Sequence, residues 1–159
     1  MTTLDRAIKI ALDAHAGQVD KGGAPYILHP LRVMMQMQTD EARIVAVLHD
    51  VIEDTPWTLE MLRGEGFSET VCDALDAITK RKDEPYLQYL ERVGANVLGM
   101  ATAVKIADLV DNLDLSRLKE INTVDLQRQS KYIAALATLL IEARKEKPNE
   151  VQHHGSQRP

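Results

Sequence analysis

Within six residues, His49-Asp50 and Glu53-Asp54 present one imidazole and three carboxylates. They directly follow Ile44-Val45-Ala46-Val47-Leu48, a stretch apolar enough to be buried. Desolvating such groups without partners costs several kcal/mol each, on the scale of a domain's whole net stability. A divalent cation is the simplest compensation. The plainer alternative is a buried helix with an ordinary polar C-terminal end, where acids gain little from the helix dipole. On a helix, His49 and Asp50 project about 100° apart, so they can share an ion without completing its coordination.

Two other places offer the missing ligands. His29 precedes Pro30 at the start of a predicted helix, where a histidine is often only a cap or surface residue. Asp108 lies in an otherwise apolar helical stretch, three and four residues before Asp111 and Asn112. Together His29, His49, Asp50 and Asp108 make a mixed two-histidine, two-carboxylate set. It suits Mn²⁺ or Fe²⁺ at least as well as Zn²⁺, and all-oxygen Mg²⁺ less well. Such an ion lowers the pKa of bound water and polarises a phosphoryl oxygen. Glu53, one turn beyond His49, is then placed to orient or deprotonate that water, and Asp54, one turn beyond Asp50, to assist. Without a metal beside them, Glu53 and Asp54 read as a solvated helix end.

The elements that must position these groups are helical. Apolar residues recur at three and four positions, and few β-branched alternating runs occur. The predicted helices start near Thr3 (with Leu4, Ile8, Ala11, Leu12 and His15 on one face), from Leu31 to Met37, from Thr39 or Asp40 to Pro56, and from Thr58 to Arg63. Further helices follow Ser68 and Pro85, then run over Val97 to Leu113, and from Thr123 or Asp125 to about Glu146. Leu126, Ile133, Leu136 and Leu140 form the expected core stripe of the last helix. Asp20-Lys21-Gly22-Gly23-Ala24-Pro25-Tyr26 concentrates turn formers, with too few glycines to identify a phosphate loop. His15 on its apolar stripe reads as a hydrogen-bonded core histidine.

The 159 residues suit one all-α domain over residues 1–146, followed by a polar, flexible tail over 147–159 that contains His153-His154. Hydrophobic content of 45% and charged content of 27% are those of a globular chain. No apolar run approaches a membrane span, and Met1 to Asp5 lacks a signal-peptide profile. The lone Cys72 excludes an internal disulfide and suits a reducing compartment, so a cytoplasmic location is expected. A formal net charge of -5 argues against nucleic-acid binding while leaving room for a small anion at a metal. Oligomeric state is not legible.

Gln18, then Gly22-x-x-Pro25-Tyr26-Ile27-x-His29-Pro30, then Leu48-His49-Asp50-Val51-x-Glu53-Asp54-Thr55, then Lys105-Ile106-Ala107-Asp108 and Asn112 occur in the order of the RelA/SpoT hydrolase domain. The chain resembles a stand-alone HD-superfamily small alarmone hydrolase, similar to bacterial and animal single-domain members. The blocks span roughly Ala7 to Leu118, and the last helix, with Arg128 and Tyr132, also resembles the family. The resemblance implies an all-helical HD fold and Mn²⁺-dependent removal of the 3′-diphosphate from (p)ppGpp, giving GDP or GTP and pyrophosphate, with Fe²⁺, Co²⁺ or Zn²⁺ as alternative metals. It assigns the metal to His29, His49, Asp50 and Asp108, and water activation to Glu53 and Asp54. Substrate contacts fall at Lys21, Asn112 and Tyr132, and Arg128 is placed to pair with phosphate or with a neighbouring acid.

Four positions depart from the family pattern. Asp20 stands where an Arg is common, Leu109 replaces a basic residue, Asp111 an aromatic or imidazole, and Asp114 an Arg. These changes are expected to remove positive charge near a guanosine polyphosphate while leaving the metal chemistry intact. They keep two alternatives open: removal of the 2′-phosphate of NADPH (or action on another nucleotide), and alarmone binding without cleavage. No counterpart of the synthetase domain is visible, so alarmone synthesis is not expected.

Overall fold

The computed structural model describes residues 3–96 and 99–145. The expected tail over 147–159, with His153-His154, lies outside the described residues, as do Val97 and Leu98. Nine α-helices are described: α1 (Leu4–Ala14), α2 (Leu28–Met35), α3 (Asp40–Leu48), α4 (Val51–Asp54), α5 (Leu59–Gly64), α6 (Glu69–Ile78), α7 (Tyr86–Gly94), α8 (Met100–Leu113) and α9 (Thr123–Lys145). A 3₁₀ turn, Leu115–Arg117, joins the last two. Among the described residues there is no strand, only an isolated bridge between Val19 and Pro25.

The centre of the fold is α3, whose Ala42 and whole run Ile44 to Leu48 are buried. A helix apolar on every side must be surrounded, and α3 packs against α1, α2, α6 and α8. Short polar caps set where the helices begin. Thr39, Thr58 and Ser68 each accept a hydrogen bond from the backbone N–H three residues on, at 3.2–3.3 Å. Val71, Leu75 and Ile78 of α6 face inward, and Cys72 is buried beside them.

Several expectations need correction. The helix through His49 is not continuous to Pro56: α3 ends at Leu48, His49 caps it, and α4 starts at Val51. Asp50 has φ -97° and ψ -7°, off regular helical geometry, which re-aims its side chain relative to His49. Helix α2 starts at Leu28, so His29 lies inside its first turn rather than before it. On α1 the buried residues are Ala7, Ile10 and Ala11, whereas Leu12 is exposed.

The largest correction concerns α9. Leu126, Ile133 and Leu140 are 54%, 58% and 45% exposed, and the helix instead buries Asp125, Ala135 and Leu139, with Tyr132 and Leu136 partly covered. Helix α9 carries two adjacent apolar stripes. Packing against α7 and α8 selects the one containing the small Ala135, which lets the backbones approach.

Candidate metal centre and cavity

Three elements deliver the cluster: His29 from the first turn of α2, His49 and Asp50 from the break between α3 and α4, and Asp108 from the middle of α8. Apolar packing of α2, α3 and α8 fixes their mutual placement. His29, His49 and Asp50 each offer a ligand atom, all lying within 4.8 Å of one another. Asp108 Oδ1 lies 3.1 Å from His29 Nε2 and 3.7 Å from His49 Nε2. Asp50 Oδ2 is 3.0 Å from His49 Nε2 and 3.6 Å from His29 Nε2.

Hydrogen bonds behind the rings set the tautomers. His49 Nδ1 donates to the Ala46 carbonyl at 2.7 Å, and His29 Nδ1 donates to Asp111 Oδ2 at 2.7 Å. With the Nδ1 positions taken, a neutral ring turns an Nε2 lone pair toward the carboxylates. His49 Nε2 is buried without a hydrogen-bond partner, since Asp50 is near in distance but off the bonding direction. Lone pairs facing carboxylates at such distances repel unless a cation lies among them. A nitrogen and oxygen donor set with one orphaned buried nitrogen therefore fits a divalent metal.

The electrostatics point the same way. Burial pushes both imidazole pKa values down, yet Asp108 and Asp111 raise that of His29, and Asp50 and Asp108 that of His49, above the ordinary histidine value. Burial likewise pushes the Asp108 carboxyl up, but Lys105 and the two imidazoles hold it well below the usual range. The cluster is negative enough to capture protons or a cation.

Neighbouring groups pin the two carboxylates of the cluster. The Tyr26 hydroxyl donates to Asp50 Oδ2 at 2.5 Å, Lys105 Nζ reaches Asp108 Oδ2 at 2.7 Å, and Asn112 Nδ2 donates to Asp108 Oδ1 at 2.6 Å. Beside the cluster opens a cavity of about 380 Å³, lined by His29, Asp50 and Asp108. Lys21, Asn112, Arg128 and Tyr132 also line it. Asn112 spends its amide on Asp108, and Arg128 forms an ion pair with Asp125.

Glu53 and Asp54 sit differently from the other candidates. Neither is among the cavity's lining residues. Glu53 Oε2 accepts from the Lys80 backbone N–H at 3.0 Å. Burial, followed for Glu53 by the Asp50 charge acting against the Lys80 hydrogen bond, raises the Glu53 carboxyl. Burial and then Asp50 raise that of Asp54.

The four departures fall into different places. Leu109 is fully buried in the core, so that position contributes nothing to the cavity's charge. Asp20 builds its own loop, its Oδ1 accepting from the Gly22 and Ala24 N–H groups at 2.9 Å each. That loop closes on the 3₁₀ turn so tightly that a Cβ at Gly22 would meet the Arg117 carbonyl at 2.5 Å. Asp114 caps the 3₁₀ turn and pairs with Arg117 at 3.2 Å. Asp20 and Asp114 do line the cavity, but so do Arg32 and Arg117, two cations to which sequence reasoning gave no role. Lys105, Tyr26 and Gln129 were also missed as cavity residues. Only Lys105, in a Lys-x-x-Asp spacing with Asp108, left a local signal.

The arrangement is the all-α HD fold, with its His-Asp pair at a helix break and a remote His and Asp closing the cluster. No family model matches the chain. It is 48% identical over 75 residues to a guanosine-3′,5′-bis(diphosphate) 3′-pyrophosphohydrolase of Haemophilus influenzae, covering 45% of this chain and 11% of that protein. It is 32% identical over 123 residues to the bifunctional (p)ppGpp synthase/hydrolase SpoT of Escherichia coli, covering 69% of this chain and 17% of that protein. The chain thus spans less than a fifth of the length of these curated relatives. A solved structure described as a metazoan ortholog of SpoT that hydrolyzes ppGpp superimposes with a TM-score of 0.71 at 21% identity, covering 94% of this chain and 89% of that one. By sequence and fold, the chain is a relative of the SpoT-type (p)ppGpp hydrolases, in keeping with the resemblance carried by its ordered motifs.

Proposed function

We propose that the protein is a metal-dependent hydrolase that removes the 3′-diphosphate of (p)ppGpp, adding water to give GDP or GTP and pyrophosphate. One observation carries this reading: two imidazole nitrogens and two carboxylates converge beside a cavity, with a buried His49 Nε2 that has no protein partner. Similarity to proteins named for that reaction supports the substrate class.

His29, His49, Asp50 and Asp108 would hold the ion, and their mixed donors favour Mn²⁺, with Fe²⁺, Co²⁺ or Zn²⁺ as substitutes. A divalent ion there supplies Lewis-acid polarisation of the phosphoryl oxygen and of the attacking water. Glu53 and Asp54 take the water's proton; their raised pKa values make them better bases than ordinary carboxylates. Lys105, Lys21 and Arg128 offer positive charge to the phosphates along the cavity wall, Asn112 steadies Asp108, and Tyr132 offers a ring to the base. A location in the cytosol suits the free, buried Cys72. Among the described residues no helix is long and apolar enough to cross a membrane.

The acids Asp20 and Asp114 on the cavity wall favour one second reading, a nucleotide with fewer phosphates, such as NADPH losing its 2′-phosphate. A substrate panel of ppGpp, pppGpp and NADPH with Mn²⁺-loaded protein separates the two. The proposal expects turnover of the guanosine polyphosphates, abolished by His49→Ala and Asp108→Ala. Turnover of NADPH alone would transfer the reading to that substrate. Tight ppGpp binding without cleavage under all four metals would make the protein a sensor.

A further inference from the structure

Asp111 is one of the four positions that depart from the family pattern, standing where an aromatic or imidazole side chain is usual. In the structure its side chain is only 5% exposed, and its carboxylate gathers three cationic or proton-donating side chains. Oδ2 accepts from His29 Nδ1 at 2.7 Å and from Arg32 Nη2 at 2.9 Å, while Oδ1 accepts from Arg32 Nε at 2.7 Å. Arg117 Nη2 donates to the Asp111 carbonyl at 2.6 Å and reaches Oδ2 at 3.3 Å.

Resting on the metal reading above, we infer that Asp111 is a positioning residue for His29, clamped from behind by Arg32 and Arg117. It holds the His29 proton on Nδ1 and so directs Nε2 at Asp50 and Asp108. The two-point contact from Arg32 matters because a planar guanidinium fixes the carboxylate's rotation as well as its charge, which a lysine would not do. Arg117, tied to both the carbonyl and the side chain of Asp111, anchors the end of α8 to the 3₁₀ turn. A purely structural ion pair between Asp111 and Arg32 would leave the imidazole free to rotate. Instead His29 makes one of the shortest contacts to the carboxylate.

Histidine ligands whose second nitrogen donates to a carboxylate are better oriented and more basic, and loss of that partner costs roughly 10–100-fold in metal affinity. The test measures Mn²⁺ affinity without substrate, by electron paramagnetic resonance titration, with melting of the chelator-treated protein alongside. In Asp111→Asn one oxygen is left to accept and the amide NH2 replaces the other, so the His29 bond and the two-point Arg32 contact cannot be kept together. Mn²⁺ affinity is expected to fall by about 10–100-fold with the metal-free melting temperature nearly unchanged. Arg32→Gln, which leaves Asp111 in place, is expected to show a smaller loss, and it decides the matter should Asp111→Asn not fold. Unchanged affinity in the folded variants, with tight wild-type binding, overturns the inference alone. A loss of affinity matched by an equal loss of metal-free folding overturns it in favour of a structural role. A wild-type protein that binds none of Mn²⁺, Fe²⁺, Co²⁺ or Zn²⁺ overturns both the inference and the metal reading beneath it.

Discussion

Lys105 Nζ lies 2.7 Å from Asp108 Oδ2, one turn away on α8, and so divides that carboxylate between two tasks. Oδ2 is committed to the lysine, while Oδ1 faces His29 and the amide of Asn112. Burial pushes the Lys105 ammonium toward neutrality, but the Asp108 charge, followed by Tyr89, more than reverses this and keeps it charged. Lys105→Met removes a charge from the cavity wall without removing a proposed metal ligand. Steady-state kinetics with ppGpp should show kcat/KM at least about tenfold lower, or ~1.4 kcal/mol of lost transition-state stabilisation. Mn²⁺ affinity should be kept or raised, because Asp108 loses its competing cation.

Tyr26 offers a second, milder perturbation. Its hydroxyl holds Asp50 Oδ2 at 2.5 Å, and burial followed by the Asp50 charge raises its pKa well above the ordinary phenol value. The group therefore donates at every working pH. Tyr26→Phe should weaken Mn²⁺ binding by about tenfold through loss of this hydrogen bond to a proposed ligand, which calorimetric titration would measure. Wild-type affinity would show that Asp50 is positioned by its backbone alone.

The proposed proton acceptors, Glu53 and Asp54, should leave a signature in the pH–rate profile. A base works only when deprotonated, so kcat/KM should fall as pH drops through its pKa. Glu53 and Asp54 are both raised, by burial first, so the acid limb should lie above the ordinary carboxyl values of about 4. Asp54→Asn and Glu53→Gln should each lower the plateau, and Glu53→Gln should also weaken the acceptor for the Lys80 N–H. A limb at or below the ordinary carboxyl values would contradict their role.

Away from the site, Glu84 and Arg92 form a two-point ion pair, and Arg92 also donates to the Asp76, Ala77 and Thr79 carbonyls at the end of α6. The Arg92 hydrogen bond lowers the Glu84 carboxyl to about 2. Because the folded pKa is depressed, this contribution to stability is complete above the unfolded value of about 4.3 and is lost as pH falls through about 2. Urea unfolding between pH 6 and 2 should therefore show a shallower acid loss in Glu84→Gln than in wild type. Parallel pH dependences would show that the pair does not titrate with folding.

What could be read from the sequence follows from locality. His49-Asp50 stood out because polar groups followed an apolar run, and the helical periodicities gave nearly every element of the fold. The break at His49 was hidden because nothing in Leu48 to Val51 is a helix breaker; the turn is imposed by packing and by the bond of His49 to Ala46. Arg32 and Asp111 are 79 residues apart, and His29 and Asp111 are 82 apart, so only the packing of α2 on α8 reveals that trio. The outward stripe of α9 was misread because Leu126, Ile133 and Leu140 share the spacing of a core face, and periodicity does not say which stripe meets the protein.

The central claim is metal-dependent release of pyrophosphate from the 3′ position, and phosphorus NMR of one ppGpp incubation tests it most directly. Mn²⁺-loaded wild type should yield GDP and pyrophosphate in equal amounts, with nothing released after chelation or by His49→Ala. Release of orthophosphate, unchanged turnover after chelation, or intact ppGpp in the loaded sample would contradict it.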